Sequence, residues 1–162
     1  TQVVSNRVRR HLELTSLFDD LQQSGQNPAT EVLDFRHSQT ATGVAETLEL
    51  PAGTRIYHFI RLRTVGGKPL ALMENWVRDD ITEITEGALR GQGLYQLLRD
   101  AGVNFRLATQ RIGAAVADQR QAELLEVAAG DALVTMERTA VDDAGRTVET
   151  GRHVYRADSY SF

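Results

Sequence analysis

The sequence contains no cysteine, few prolines and no long apolar run. Without cysteine, no disulfide framework, thiolate metal site or cysteine nucleophile is available. Lysine and arginine total 18 against 22 acidic residues, for a net charge of −4, so the overall composition does not favour nucleic-acid binding. No apolar stretch approaches the roughly 20 residues of a membrane-spanning helix, and no signal peptide is recognisable. We therefore expect a cytoplasmic protein that has no membrane partner.

The chain is long enough for one domain with a substantial core. It has 162 residues, of which 41% are hydrophobic and 25% are charged, both ordinary values for a globular protein. Residues 1–11 are different, because they hold three arginines and one histidine but no acid. This segment could be a linker or a first edge strand, and a solvated tail explains its basic cluster more simply than a phosphate contact does.

The strongest strand pattern spans residues 54–78 and is interrupted by Gly66-Gly67. Two glycines between runs of β-branched and aromatic residues are typical of a tight hairpin, because both tolerate positive φ. With these glycines as the loop, the predicted pairs are Val65 with Lys68, Arg63 with Leu70, Arg61 with Leu72, Phe59 with Glu74, and Tyr57 with Trp76. One sheet face would then combine two arginines with a carboxylate and three aromatic residues. This mixture indicates either a pocket for a polar, anionic small molecule or a solvated face with extended arginine side chains.

The remaining elements follow from periodicity and from helix start and stop signals. Helices are predicted over residues 15–24, 42–50, 94–101 and 118–127, and further strands over residues 31–37, 103–117, 133–141 and 146–155. Thr42 is predicted to cap the second helix, with Glu46 near the position of a capping box. Asp118 and Gln121 predict a capping box for the last helix.

An internal repeat relates the two halves of the chain. Residues 45–63 match residues 122–140 at a shift of 77, with identities at 45/122, 46/123, 48/125, 49/126, 52/129, 53/130 and 61/138. Each copy is predicted as a helix, a glycine turn, a strand, a tight turn and a second strand. The repeat predicts an α+β fold, in which helices pack on a pseudo-two-fold antiparallel sheet of about six strands. Arg61 and Arg138 should occupy equivalent positions, and Glu74 and Glu149 should lie on corresponding strands.

Several motifs, in order along the chain, resemble the UTRA domain of HutC-type GntR transcriptional regulators. They are S-G-x-x-P-x-T-x-V (24–32), A-x-x-L-x-L-x-x-G-x-x-I-Y (45–57), R-L-R-T-x-x-G-x-P-L-A (61–71), L-Y-x-L-L (94–98), A-x-L-L-x-V (122–127) and E-x-x-x-x-x-Y-R-x-D-x-Y-x-F (149–162). The resemblance implies a chorismate-lyase-like fold over residues 12–162 that binds a small anionic effector and forms a homodimer. Residues 1–11 would then be the linker from an N-terminal winged helix-turn-helix domain that binds operator DNA.

The resemblance also assigns effector-binding residues by position. They are Arg61, Arg63, Glu74, Gly93, Tyr95, Glu149 and Tyr155. Guanidinium groups suit a phosphate or carboxylate, so the arginines agree with an anionic ligand. Gly93 stands where sugar-phosphate-binding relatives carry a serine, which removes one hydroxyl contact to a phosphate. Simpler roles remain open, because Glu74 and Glu149 could pair with Arg61 and Arg138, and Tyr155 could be a core residue.

Three classes of function fit these features. The first is the effector-sensing domain of a regulator, with a phosphorylated sugar as one candidate ligand. The second is an enzyme of the lyase fold acting on a small carboxylate. The third, a structural dimerisation module, does not explain the arginines in the hairpin. His58 and His153 are isolated histidines without metal-ligand spacing, and no nucleophile is evident. We therefore expect no metal, no cofactor and no catalytic residue, which favours the sensing role.

Overall fold

The computed structural model describes Leu21 and residues 25–159. Only Leu21 of the helix predicted over residues 15–24 is therefore described, and the predicted linker over residues 1–11 lies outside the described residues. Six strands form one sheet: β1 (Pro28–Gln39), β2 (Arg55–Val65), β3 (Lys68–Arg78), β4 (Phe105–Val116), β5 (Ala132–Asp142) and β6 (Thr147–Arg156). All neighbouring strands are antiparallel, in the order β1-β2-β3-β6-β5-β4. The predicted six-stranded α+β architecture is confirmed.

Helices lie on both faces of this sheet. They are α1 (Thr42–Thr47), α2 (Glu86–Gly91), α3 (Leu94–Asp100) and α4 (Gln119–Leu125). We call the face that carries Tyr57, Phe59, Arg61 and Arg63 of β2 the front face, and the opposite one the back face. Apolar side chains of α2 and α3 pack on the front face, whereas those of α1 and α4 pack on the back face. Each face of the sheet is therefore partly covered by apolar side chains from two helices.

The internal repeat covers most of the described chain. Strand β4 begins 77 residues after β1, at Phe105 against Pro28, and β5 begins 77 residues after β2, at Ala132 against Arg55. The shift even reproduces unusual backbone geometry, since Glu49 has a φ of 56° and Glu126 a φ of 54°. The two halves meet where β3 pairs with β6. There, Glu74 faces Arg152 directly.

The first hairpin departs from the predicted register. Its turn is as predicted, with Val65 opposite Lys68 and positive φ at both loop glycines. A β-bulge then adds Leu70 to β3, so that Arg63 lies opposite Ala71 instead of Leu70. One extra residue moves every later side chain of the strand to the other face. The predicted pairs beyond the turn are therefore wrong, and Glu74 and Trp76 lie on the back face.

The same bulge recurs in the second hairpin. The register of β5 against β6 shifts between Ala140 and Val141, which places the extra residue at Val148. Leu70 and Val148 are both buried apolar residues, so each bulge is anchored by the core. Glu74 and Glu149 lie on the corresponding strands β3 and β6, as predicted, but at different positions. Glu149 faces Ala140, whereas Glu74 corresponds to Arg152.

The two equivalent helices α1 and α4 are capped differently. Asp118 forms the predicted capping box with Gln121, in which each side chain accepts a hydrogen bond from the other residue's backbone N–H. The N-cap of α1 is Ala41, with no side-chain hydrogen bond, so the cap predicted at Thr42 is wrong. Helix α1 starts one residue earlier than predicted, and Thr42 becomes its first helical residue.

This difference predicts opposite effects of two substitutions at equivalent positions. Asp118→Ala should lower the free energy of unfolding by about 1 kcal/mol, because the backbone N–H of Gln121 loses its acceptor, the carboxylate of Asp118. Ala41→Asp should raise it by about 0.5–1 kcal/mol, since Ala41 already has the extended backbone of an N-cap. Urea denaturation of both variants measures the two effects. Equal shifts of the same sign would contradict this account.

Candidate functional site

Polar and charged side chains occupy the centre of the front face, where a hydrophobic core would be expected. They come from β2, β3, β5, β6 and α3: Arg61, Arg63, Asn75, Tyr95, Arg138, Glu149, His153 and Tyr155. Arg61 is 2% exposed, Arg63 1% and Glu149 1%. Buried charges are costly unless they are paired and hydrogen-bonded, so this arrangement requires an explanation in its contacts.

A chain of hydrogen bonds links Arg61 to α3. Arg61 Nη2 donates to Asn75 Oδ1 at 2.8 Å, and Asn75 Nδ2 donates to Glu149 Oε1 at 2.7 Å. The other carboxylate oxygen, Glu149 Oε2, accepts a hydrogen bond of 2.7 Å from the hydroxyl of Tyr95. Glu149 therefore connects the sheet to α3 through short, charge-assisted hydrogen bonds.

The same chain determines the tautomer of His153. Arginine can only donate and a carboxylate can only accept, so the amide of Asn75 has one possible orientation. Its Nδ2 then faces His153 Nε2 at 3.3 Å, which makes that nitrogen the acceptor. The proton of His153 accordingly lies on Nδ1, which is 3.1 Å from the hydroxyl of Tyr155. Asn75 thus favours a neutral imidazole at the centre of the site.

Two further arginines flank this network. Arg63 donates to the hydroxyl of Thr30 and lies 4.0 Å from the sulfur of Met73. The guanidinium carbon of Arg138 lies 5.1 Å from the ring centroid of Tyr95, a cation–π distance. The positive charges of Arg61 and Arg138 act on the single buried carboxylate of the cluster, Glu149, and those of all three arginines act on His153.

Burial and charge shift the pKa values of these groups in consistent directions. Burial lowers the pKa of Arg61 to about 10, so it remains charged at neutral pH. Burial also raises the pKa of Glu149, although hydrogen bonds from Tyr95 and Asn75 oppose that shift. The pKa of His153 is lowered well below its usual value, first by burial and then by the positive charges of the three arginines. At neutral pH the site thus carries three cations and a neutral histidine.

Gly151 allows these side chains to converge on the sheet. A Cβ atom at this position would lie 2.7 Å from Asn75 Nδ2, 2.8 Å from Glu149 Oε1 and 3.1 Å from His153 Nε2. The first two distances are shorter than real Cβ contacts, and the atoms concerned cannot shift freely because they belong to one hydrogen-bonded network. A glycine in the middle of a strand is a sequence signal for such a close approach, and it points to this site.

The structure brings together five of the seven effector-binding residues expected from the sequence: Arg61, Arg63, Tyr95, Glu149 and Tyr155. Gly93 is the N-cap of α3, two residues before Tyr95, and contributes only its backbone. Glu74 does not join the cluster, because the bulge turns it to the back face. There it lies 3.2 Å from His58 Nε2, while Trp76 stacks on the ring of His58 at 4.9 Å.

Sequence reasoning missed three residues of the cluster. Asn75 takes the place expected for Glu74, and this exchange follows from the one-residue bulge. Arg138 could have been found from its match to Arg61 in the repeat. His153 had no distinguishing sequence signal, because an isolated strand histidine is usually structural. Within the described residues, no group of three histidine or acidic residues could hold a metal ion, and no helix is long and apolar enough to cross a membrane.

The fold and the polar cluster define a class of small α+β domain with a six-stranded antiparallel sheet and buried charged side chains on one sheet face. Comparison with known proteins identifies the family: residues 23–161 match the model of the UTRA domain, so the chain belongs to the UTRA domain family. The transcriptional repressor NagR of Bacillus subtilis is 22% identical over 92% of this chain. The regulator Rv0792c of Mycobacterium tuberculosis is 29% identical over 85% of it. The chain spans only 62% and 52% of these two proteins, respectively.

Solved structures agree with the family assignment. A candidate transcriptional regulator from Streptomyces coelicolor is 39% identical, with a TM-score of 0.79, and the match covers 85% of this chain and 91% of that one. The effector domain of PhnF from Mycobacterium smegmatis has a TM-score of 0.83 over 93% of this chain and 94% of its own, at 21% identity. At that lower identity, the likeness to PhnF establishes the shared fold alone.

Gly151→Ala should disrupt the polar network. The added methyl group must displace Asn75 or Glu149, and breaking their hydrogen bonds should lower the free energy of unfolding by about 1–3 kcal/mol. Gly43→Ala in α1 is the matched control, because a Cβ there meets no atom within 4 Å. Its stability should stay the same or rise by up to about 1 kcal/mol. Denaturant titration compares the two, and a neutral Gly151→Ala would refute the close packing.

His153 should make the folded state sensitive to acid. Because its pKa is lowered in the folded protein, the unfolded chain binds a proton first as the pH falls below about 6.5. The histidine's contribution to stability is complete above that pH and is lost below it, by up to about 1.4 kcal/mol per pH unit. The pKa of Glu149 is raised in the folded protein, so its contribution makes the folded state less stable as the pH rises above its unfolded pKa. Between pH 7 and 5.5, the urea midpoint should depend less on pH in His153→Gln than in the wild type. An unchanged pH dependence would contradict the assignment.

Proposed function

We propose that this chain is the effector-sensing and dimerisation domain of a bacterial, cytoplasmic transcriptional regulator of the GntR family, HutC type. Its ligand is a small anionic metabolite, and its output is a change in operator binding by an N-terminal DNA-binding domain. The observation that carries the proposal is the clustering of Arg61, Arg63 and Arg138 around His153 on the sheet face that also holds the buried Glu149, in a chain of the UTRA family. The relatives named as regulators, NagR among them, support the class of function.

The chemistry of the site supports an anion. Arginine presents planar N–H donors that match carboxylate and phosphate oxygens, and it keeps its charge when buried. Glu149 and Tyr95 add groups that can meet the hydroxyls of a sugar, so a phosphorylated sugar remains a candidate. Because Gly93 stands where sugar-phosphate-binding relatives carry a serine, a phosphate would have one hydroxyl contact fewer in this domain. The hydroxyl of Tyr155 is hydrogen-bonded to His153 and belongs to the same polar cluster.

A lyase-type enzyme receives no specific support from the site. General acid–base catalysis needs a group that can exchange a proton with the substrate near neutral pH. Both ring nitrogens of His153 are engaged by Asn75 and Tyr155, and its pKa is lowered well below neutrality. Glu149 has hydrogen bonds to both of its oxygens. We therefore assign the domain a binding role and no catalysis.

The contact between Tyr95 and Glu149 suggests how binding is transmitted. It joins α3 to the sheet inside the site, so a ligand that competes for Glu149 or Arg138 changes the position of that helix. In a homodimer, such a shift would alter the spacing of two DNA-binding domains, and operator half-sites require a fixed spacing. The coupling available to such devices is typically about 1–3 kcal/mol.

The test uses the full-length gene product and a panel of phosphorylated sugars. One of them should change operator affinity by about 5- to 150-fold, and operator DNA should change the affinity for that sugar by the same factor. Fluorescence anisotropy measures the first effect, and calorimetry in the presence and absence of DNA measures the second. Arg63→Ala should abolish both effects.

The matched control is Arg36→Ala, which removes an exposed arginine of β1 that pairs with Asp34 outside the site. It should behave like the wild type. Equal sugar affinities with and without operator would show binding without signalling, and the regulatory proposal would fail. Loss of both effects in Arg36→Ala would point to a general charge effect instead of a site at Arg63.

A further inference from the structure

Arg138 and Arg61 are related by the internal repeat. Each is the seventh residue of its strand, β5 for Arg138 and β2 for Arg61. Arg61 lies opposite Met73 on β3, and Arg138 lies opposite Gly151 on β6. Because β3 and β6 pair at the centre of the sheet, the two arginines approach the same central region from opposite sides. Gly151 carries no side chain, and Asn75, Glu149 and His153 occupy the space that its Cβ would need.

We propose that Arg138 and Arg61 form the two arms of one anion-binding cradle across the pseudo-two-fold axis, and that this cradle restricts the effector to anionic groups that carry two negative charges. The inference rests on the proposed function, because it specifies the ligand of the same site. It adds a ligand-contacting residue, Arg138, that the resemblance to the family does not assign. It also adds a criterion for ligand charge.

Unused hydrogen-bond donors support the cradle. Nε and Nη1 of Arg61 and Nε of Arg138 are buried and have no hydrogen-bond partner among the described residues. Buried N–H groups are nearly always paired, and leaving one unpaired costs about 1–3 kcal/mol. Three unpaired donors on these two repeat-related guanidinium groups are therefore available to donate to the oxygens of an anion.

Other contacts hold both guanidinium groups in place. Arg61 is fixed by its hydrogen bond to Asn75 and lies 5.3 Å from the ring centroid of Phe59. Arg138 lies over the ring of Tyr95, and its Nη2 is 3.7 Å from the sulfur of Met136. The unpaired N–H groups are thus oriented before any ligand arrives, which reduces the entropy lost on binding.

The charges of the site specify the charge of the ligand. Arg61, Arg63 and Arg138 contribute three positive charges, whereas Glu149 contributes one negative charge and His153 is neutral. The buried cluster therefore has an excess of two positive charges. A dianion neutralises this excess, but a monoanion of the same shape leaves one buried charge without a counter-charge. Without Arg138 the excess is one, and the preference for a dianion should disappear.

The test compares sulfate with methanesulfonate, two tetrahedral anions of similar size that differ by one charge. Calorimetry on the 162-residue chain at constant ionic strength should show that the wild type prefers sulfate by about tenfold or more. Arg138→Gln should weaken sulfate binding by about tenfold or more and change methanesulfonate binding little. Arg138→Lys should restore part of the sulfate preference, because it restores the charge without the planar fork.

The control is Arg152→Gln, which removes a back-face arginine located 5.4 Å from the ring of Trp76. It should leave both affinities unchanged, and thermal melts should confirm that every variant is folded. If the wild type binds sulfate and Arg138→Gln keeps the same preference over methanesulfonate, the cradle is refuted while the sensing function stands. If the wild type binds neither anion in the site, the anionic effector proposed for the domain fails as well.

Discussion

Glu149 is the carboxylate on which the buried charges of the front face depend. It is 1% exposed, and it accepts hydrogen bonds from Asn75 of β3 and Tyr95 of α3. Its negative charge also counteracts the lowering of the Arg61 pKa by burial. Removing one partner of a buried charged network is more destabilising than never having had it, because the remaining charges stay buried. The hydrogen-bonded framework of the site therefore depends on one side chain.

The scaffold is nearly symmetric, but the site built on it is not. The repeat places Arg61 and Arg138 at equivalent positions, and the sheet places Asn75 on β3 where His153 lies on β6. In other equivalent pairs only one half carries the functional group, as with Arg63 against Ala140. A duplicated unit thus supplies two similar walls, and later differences between the halves make one binding centre instead of two. Glu149 and Tyr95, both from the second half of the chain, form a hydrogen bond that makes this centre asymmetric.

A site rich in donors and poor in acceptors suits a domain that senses an anion. Three N–H groups of Arg61 and Arg138 have no hydrogen-bond partner among the described residues, and the anion proposed above would supply their acceptors. A binding protein gains affinity when its ligand supplies the missing acceptors. The same imbalance would be a poor basis for proton-transfer catalysis, because arginine does not exchange protons at neutral pH.

The sequence by itself determined the class of fold, the order of the strands along the chain and most of the residues at the site. Periodicity, glycine turns and the 77-residue repeat are local or near-local signals, so they survive without any knowledge of tertiary contacts. Tertiary structure alone decided which face each residue of β3 occupies. The bulge at Leu70 is stabilised by packing in the core, and alternation along the hairpin cannot reveal it. That single inserted residue exchanged Glu74 for Asn75 in the site, and Asn75 in turn set the orientation of the hydrogen bonds to Arg61, Glu149 and His153.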